Sequence, residues 1–217
     1  MTSLIFHTEK EMAFVVMDTL ATSVNGEPFM FTTKSFPLPH LKMIICGTGM
    51  GGFISRWFLK INDGIVVKGI EDLAIHAPMI LRGFWEDYKK NNPIDSNLTT
   101  TCYHFGFSEY DDQIHSYAFR SQNQFIAEPL DYGCGIKPVV EIPEPYEFPT
   151  DIHKIMKMQR ESEEKKNKGE RVYIGGEIQI THLTKAGIAL YSLGQFEDFK
   201  DIESKIFKNY DKNHRKN

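Results

Sequence analysis

The order in which the apolar periodicity changes along the chain constrains the fold more than any other feature. Segments with a two-residue period come in blocks, and segments with a helical period come in separate blocks. Strands are expected at 3–7 and 12–17, joined by the polar turn Thr8-Glu9-Lys10-Glu11. Extended segments at 29–36 and 41–46 follow, with Pro37 and Pro39 breaking the first. Helical spacing then takes over. Phe53, Ile54, Trp57, Phe58 and Ile61 recur on one face until Asp63-Gly64, and a second helix spans 71–90. Strands return at 99–107, 114–120 and 124–127. A helix at 151–168, strands at 172–180 and 188–193, and a helix at 196–210 complete the chain. This order excludes the βαβ alternation of a parallel doubly wound sheet. It predicts an α+β fold: two antiparallel sheets, flanked by helices in a four-layer αββα sandwich.

Several local expectations follow from residue type. Pro78 is expected to kink the second helix or to mark its true start. Asp151 is a candidate N-cap, and the polar stretch 161–168 is expected to be solvated. Tyr132-Gly133-Cys134-Gly135-Ile136 reads as a glycine-bracketed turn, and 137–149, with its prolines, as an ordered loop or crossover. The basic end, 211–217, reads as a disordered tail. With 217 residues, no internal repeat and no linker, a single domain over 1–217 is expected.

Composition narrows the function classes. A net charge of −4 gives no sign of a nucleic-acid or anionic-membrane binder. The apolar runs are far shorter than the roughly 20 residues a spanning helix needs. The first residues carry no basic segment ahead of an apolar one, so no export signal is read and a cytoplasmic location is expected. The cysteines Cys46, Cys102 and Cys134 form no CxxC pair and read as reduced thiols. The eight histidines show no metal-ligand spacing, so no metal or cofactor is expected.

Chemistry enters with Thr2. Removal of Met1 would leave a free α-amine beside a hydroxyl. An N-terminal threonine can act as a nucleophile with its own amine, of pKa near 8, as base. Asp18 stands 16 residues later, and Lys34 stands 32 residues later. These separations resemble those of the proteasome β-subunit and the bacterial heat-shock-locus peptidase, members of the N-terminal nucleophile hydrolases. Asp18-Thr19-Leu20-Ala21-Thr22 resembles that family's Asp-x-Arg-Ala-Thr. Ile44-Ile45-Cys46-Gly47-Thr48-Gly49 resembles its substrate strand and oxyanion turn, and Gly133-Cys134-Gly135 its Gly-Ser-Gly. Val172-Tyr173-Ile174-Gly175-Gly176 resembles its Ala-Tyr-Ser-Gly-Gly.

The resemblance implies a threonine peptidase with Thr2, Asp18, Lys34, Gly47 and Cys134 as catalytic residues. Gly47 would supply the oxyanion N–H at the start of a helix. Cys134 would stand where the family has a serine beside the nucleophile's amine. Thr22, Cys46 and Gly49 would bind peptide as an added strand. The resemblance further implies a peptide or unfolded-protein substrate, a ring-like homo-oligomer and an ATP-dependent unfoldase partner. Cys134, and Arg171 and Ile174 in place of the family's Asp and Ser, keep a second reading open. In that reading the chain is an inactive proteasome-like structural or assembly subunit.

Overall fold

The computed structural model describes residues 2–23, 25–92, 98–142 and 145–214. One sheet is built from β1 (Leu4–Thr8), β2 (Met12–Asp18), β10 (Gly133–Lys137), β11 (Glu177–Thr184) and β12 (Gly187–Gln195), in the order β10-β1-β2-β11-β12. The other is built from β5 (Ser35–Leu38), β6 (Met43–Thr48), β7 (Thr101–Phe107), β8 (Ile114–Arg120) and β9 (Ala127–Pro129), in chain order. Every pairing in both sheets is antiparallel. A small hairpin, β3 (Leu20–Thr22) and β4 (Pro28–Phe31), projects from the end of β2.

The layering follows from strands that are apolar on both faces. Leu4, Val15 and Met17 of the first sheet meet Ile44, Tyr103 and Phe105 of the second, forming the core between the sheets. The alternate residues Ile5, Val16 and Ile180 point outward onto Ile152, Ile155 and Met156 of α3 (Ile152–Glu164). On the opposite side, Met43, Ile45 and Phe119 meet Phe53 and Trp57 of α1 (Gly51–Gly64), with Leu73, Leu81 and Trp85 of α2 (Ile70–Asn91). Covering both faces of both sheets explains why these strands read as near-continuous apolar runs rather than strict alternations. The αββα sandwich is therefore present. α4 (Phe199–His214) packs against β4, where Phe199 stacks on Phe31 at 4.6 Å.

Several local expectations are corrected. Pro37 does not break its strand but lies inside β5, an edge strand whose outer side needs no N–H. Pro78 lies well inside α2 rather than at its start. The strand expected at 124–127 is displaced to β9, after a 3₁₀ turn at Ser121–Asn123. Gly133–Lys137 is not a turn but strand β10, paired along the whole of β1. The strand expected at 172–180 begins only at Glu177, because 172–176 is used to approach Asp18. Asp151 makes no side-chain cap bond to α3 but accepts the Glu147 N–H. Of the polar stretch expected to be solvated, Glu163 is fully buried, accepting from Lys166 Nζ and the Val172 N–H. The tail is helical through His214, and 215–217 lie outside the described residues. No helix among the described residues is long and apolar enough to cross a membrane.

Candidate active site

The ends of three strands converge at one edge of the sandwich. β1 and β2 pair with Leu4 opposite Met17, so the residue entering β1 meets the residue leaving β2. The Ser3 N–H accordingly donates to Asp18 Oδ1 at 2.9 Å. β11 pairs on the other side of β2, with Ile178 opposite Asp18. The chain leading into β11 returns to the same carboxylate, and the Gly175 N–H donates to Asp18 Oδ2 at 3.2 Å. Gly176 makes this approach possible. Its φ is +84°, and a Cβ there would stand 2.3 Å from Thr19 Oγ1.

Thr2 and Lys34 complete the cluster. The Thr2 hydroxyl donates to Asp18 Oδ1 at 2.6 Å. Lys34, just ahead of β5 in the other sheet, donates from Nζ to Thr2 Oγ1 at 2.9 Å, to Asp18 Oδ1 at 3.0 Å and to the Leu20 carbonyl at 2.6 Å. Three acceptors match the three N–H groups of an ammonium, and a neutral amine would leave one of them without a donor. Asp18 is fully buried and Thr2 is 7% exposed, so these contacts lie away from bulk water. Burial pulls the Lys34 pKa down, while the Asp18 charge and hydrogen bond push it back up. The arrangement can polarise the Thr2 hydroxyl and stabilise negative charge on its oxygen.

A stability prediction follows from Lys34. Its folded pKa lies below the ordinary value of 10.5, so it loses its proton at lower pH in the folded chain than in the unfolded one. Between those two values the unfolded state binds more protons, and stability rises with pH. Urea midpoints measured from about pH 8 to 10.5 should show this rise relative to Lys34→Met. Parallel curves for the two proteins would contradict it.

The other expected site residues are placed unevenly. Gly47 lies in β6 opposite Cys102, not in a turn. The register Ser35↔Cys46, carried one step further, sets Gly47 beside Lys34. Gly49 occupies the turn into α1 with φ +99°, where a Cβ would stand 2.2 Å from the Thr99 carbonyl. The Cys46 side chain is fully buried in the core between the sheets, and burial pushes its thiol pKa up. It therefore lines no open surface. Thr22 is half-buried in β3, opposite Pro28.

Cys134 is the clearest correction. It pairs with His7, at the far end of β1 from Thr2, and packs against the outer core. Five residues at about 3.3 Å each put it roughly 16 Å along the strand. It does not stand beside the nucleophile. Ile174 is buried in the same outer core, and Arg171 binds the Glu164 and Lys166 carbonyls beyond the end of α3. Gly175, Ser3, Gln159 and the Leu20 carbonyl were not anticipated as site groups. Gly175 belongs to the segment Val172-Tyr173-Ile174-Gly175-Gly176. Gln159 carries no local signal, since a glutamine in a polar helix looks solvent-facing.

The chain is similar over its whole length to Anbu (ancestral beta-subunit) from Yersinia bercovieri. The likeness covers 95% of that chain at 8% sequence identity, with a TM-score of 0.57. At that identity the likeness is one of fold, which is proteasome-β-like. No protein-family model matches the sequence, and no curated protein matches it at a significant level.

Proposed function

We propose that this chain is a threonine-type peptidase with Thr2 as its nucleophile. The observation that carries the reading is the triangle of Thr2 Oγ1, Asp18 Oδ1 and Lys34 Nζ, each pair within 3.0 Å. In this reading Met1 is removed and the α-amine of Thr2 is free. Thr2 Oγ bonds to the carbonyl carbon of a peptide as its proton passes to that amine. The Lys34 ammonium offsets the charge developing on Oγ, and Asp18 holds Lys34 charged and oriented. A backbone N–H of the 47–49 stretch stabilises the oxyanion. The C–N bond then breaks, and the amine passes the proton to the departing peptide. Water hydrolyses the resulting ester and frees Thr2. The fold supports a proteasome-like subunit, and the sequence extends the proposal to a cytoplasmic location, a peptide or unfolded-protein substrate, a homo-oligomer and an ATP-dependent unfoldase.

A second reading, an inactive proteasome-like structural subunit, draws on the displacement of Cys134 to the His7 end of β1. One experiment separates the two. The purified protein is treated with a peptide epoxyketone, which closes a ring on a vicinal hydroxyl and amine, and its intact and peptide masses are measured. The peptidase reading expects a chain lacking Met1 and one adduct on the peptide that begins at Thr2. Retained Met1, or a processed terminus that takes no adduct, overturns it in favour of the structural subunit.

A further inference from the structure

The carboxylate of Asp18 holds the N-terminal segment from one side, and α3 holds it from the other. Gln159 lies on α3, is fully buried and spans two elements. Its Nε2 donates to the Pro138 carbonyl at 2.7 Å, and its Oε1 accepts the Ser3 hydroxyl at 2.6 Å. Ser3 is fully buried as well. Each hydrogen in this chain is dictated by the one before it. A proline carbonyl can only accept, so the NH₂ of Gln159 must face Pro138. The amide oxygen must then face Ser3, and the Ser3 hydroxyl must donate to it. The peptide N–H of that same Ser3 donates to the oxygen of Asp18 that also accepts Thr2 and Lys34. Glu163, one turn further along α3, grips the Val172 N–H on the segment that delivers Gly175 to Asp18.

The geometry points to Gln159 as a positioning residue for Thr2, acting through Ser3 rather than by touching substrate. This inference rests on the peptidase reading for its catalytic consequence, but not for the contact it describes. Two substitutions separate positioning from mere packing. Gln159→Glu keeps the shape. Its ionised form would set two acceptors against each other at Pro138, whereas its protonated form restores the original pattern of one donor and one acceptor. Gln159→Leu fills similar space without either bond.

The rate of epoxyketone addition to Thr2 is measured across pH as a ratio to wild type. Gln159→Leu should react about 10²-fold more slowly at every pH, the scale expected for a reacting group displaced by about 1 Å. Gln159→Glu should show the same loss at alkaline pH, where the buried carboxyl is ionised, and recover toward wild type as pH falls and it takes up a proton. Wild-type rates for both variants across the range overturn the inference. Hydrogen exchange at the Ser3 amide, followed by NMR on the intact protein, gives a readout that does not depend on catalysis. Exchange about 10-fold faster in Gln159→Leu supports the contact's role, since Ser3 then loses one of its two anchors. Unchanged exchange overturns it. If wild type takes no adduct, the peptidase reading falls and the exchange measurement alone decides the role of Gln159.

Discussion

Thr2→Ala is expected to abolish peptide hydrolysis and epoxyketone addition while leaving the protein folded. Under the proposed mechanism the side-chain oxygen forms the acyl bond, and no neighbour can replace it. The other two atoms of the triangle are already engaged: Lys34 Nζ is an ammonium serving three acceptors, and Asp18 Oδ1 accepts from Thr2, Ser3 and Lys34. The loss should be on the order of 10⁴-fold or more, as for other nucleophiles that act as part of a unit. The structural cost is smaller. Asp18 keeps the Ser3 N–H, the Gly175 N–H and Lys34. The two hydrogen bonds lost, one to Asp18 and one from Lys34, are each worth about 1.5–3 kcal/mol, and the charged pair they join stays intact. Thr2→Ser should retain measurable activity, because the hydroxyl remains within reach of Asp18 and Lys34. Turnover and the urea midpoint, read on the same preparations, check both halves. Full activity in Thr2→Ala would move the nucleophile elsewhere.

The parts of this molecule that sequence reveals are those encoded by spacing along one element. Blocks of two-residue and helical period translate into the two sheets and their helices, because burying both faces of each sheet leaves so few layer orders. Asp18 and Lys34 are legible through a resemblance, because their separations from Thr2 match those of the N-terminal nucleophile hydrolases; Asp18 ends the strand beside the one Thr2 leads into, whereas Lys34 precedes a strand of the other sheet. The neighbourhood of Cys134 depends on register. Gly-Cys-Gly looks like a turn locally, yet pairing Leu4 with Lys137 makes it a strand and carries the cysteine to His7. Strand register reflects packing on both faces, and no local motif states it. Gln159 and Glu163 stayed hidden for a complementary reason. A polar residue on a helix is read as solvated by default, and only the meeting of α3 with the 172–176 segment and the N-terminal strand buries these two.

Asp18→Ala should destabilise the fold by about 3–5 kcal/mol, because it leaves a buried lysine without its counter-charge. Lys34 has a side chain 13% exposed and cannot turn fully into water without leaving Thr2 and the Leu20 carbonyl. The same substitution strands the N–H groups of Ser3 and Gly175, each of which has its bond to that carboxylate. Two costs are therefore superimposed, and a double-mutant cycle separates them. Lys34→Met in the Asp18→Ala background removes the unpaired charge but not the stranded amides. It should recover part of the lost stability and leave a remainder of about 1–3 kcal/mol, the scale of unsatisfied buried donors. Full additivity of the two single substitutions would mean that Lys34 escapes to solvent once Asp18 is gone. In that case the carboxylate would matter to the fold through its backbone bonds rather than through the lysine. Non-additivity is the outcome expected from the 3.0 Å contact. It would make the Asp18–Lys34 pair a structural tie between the two sheets, present before any substrate arrives.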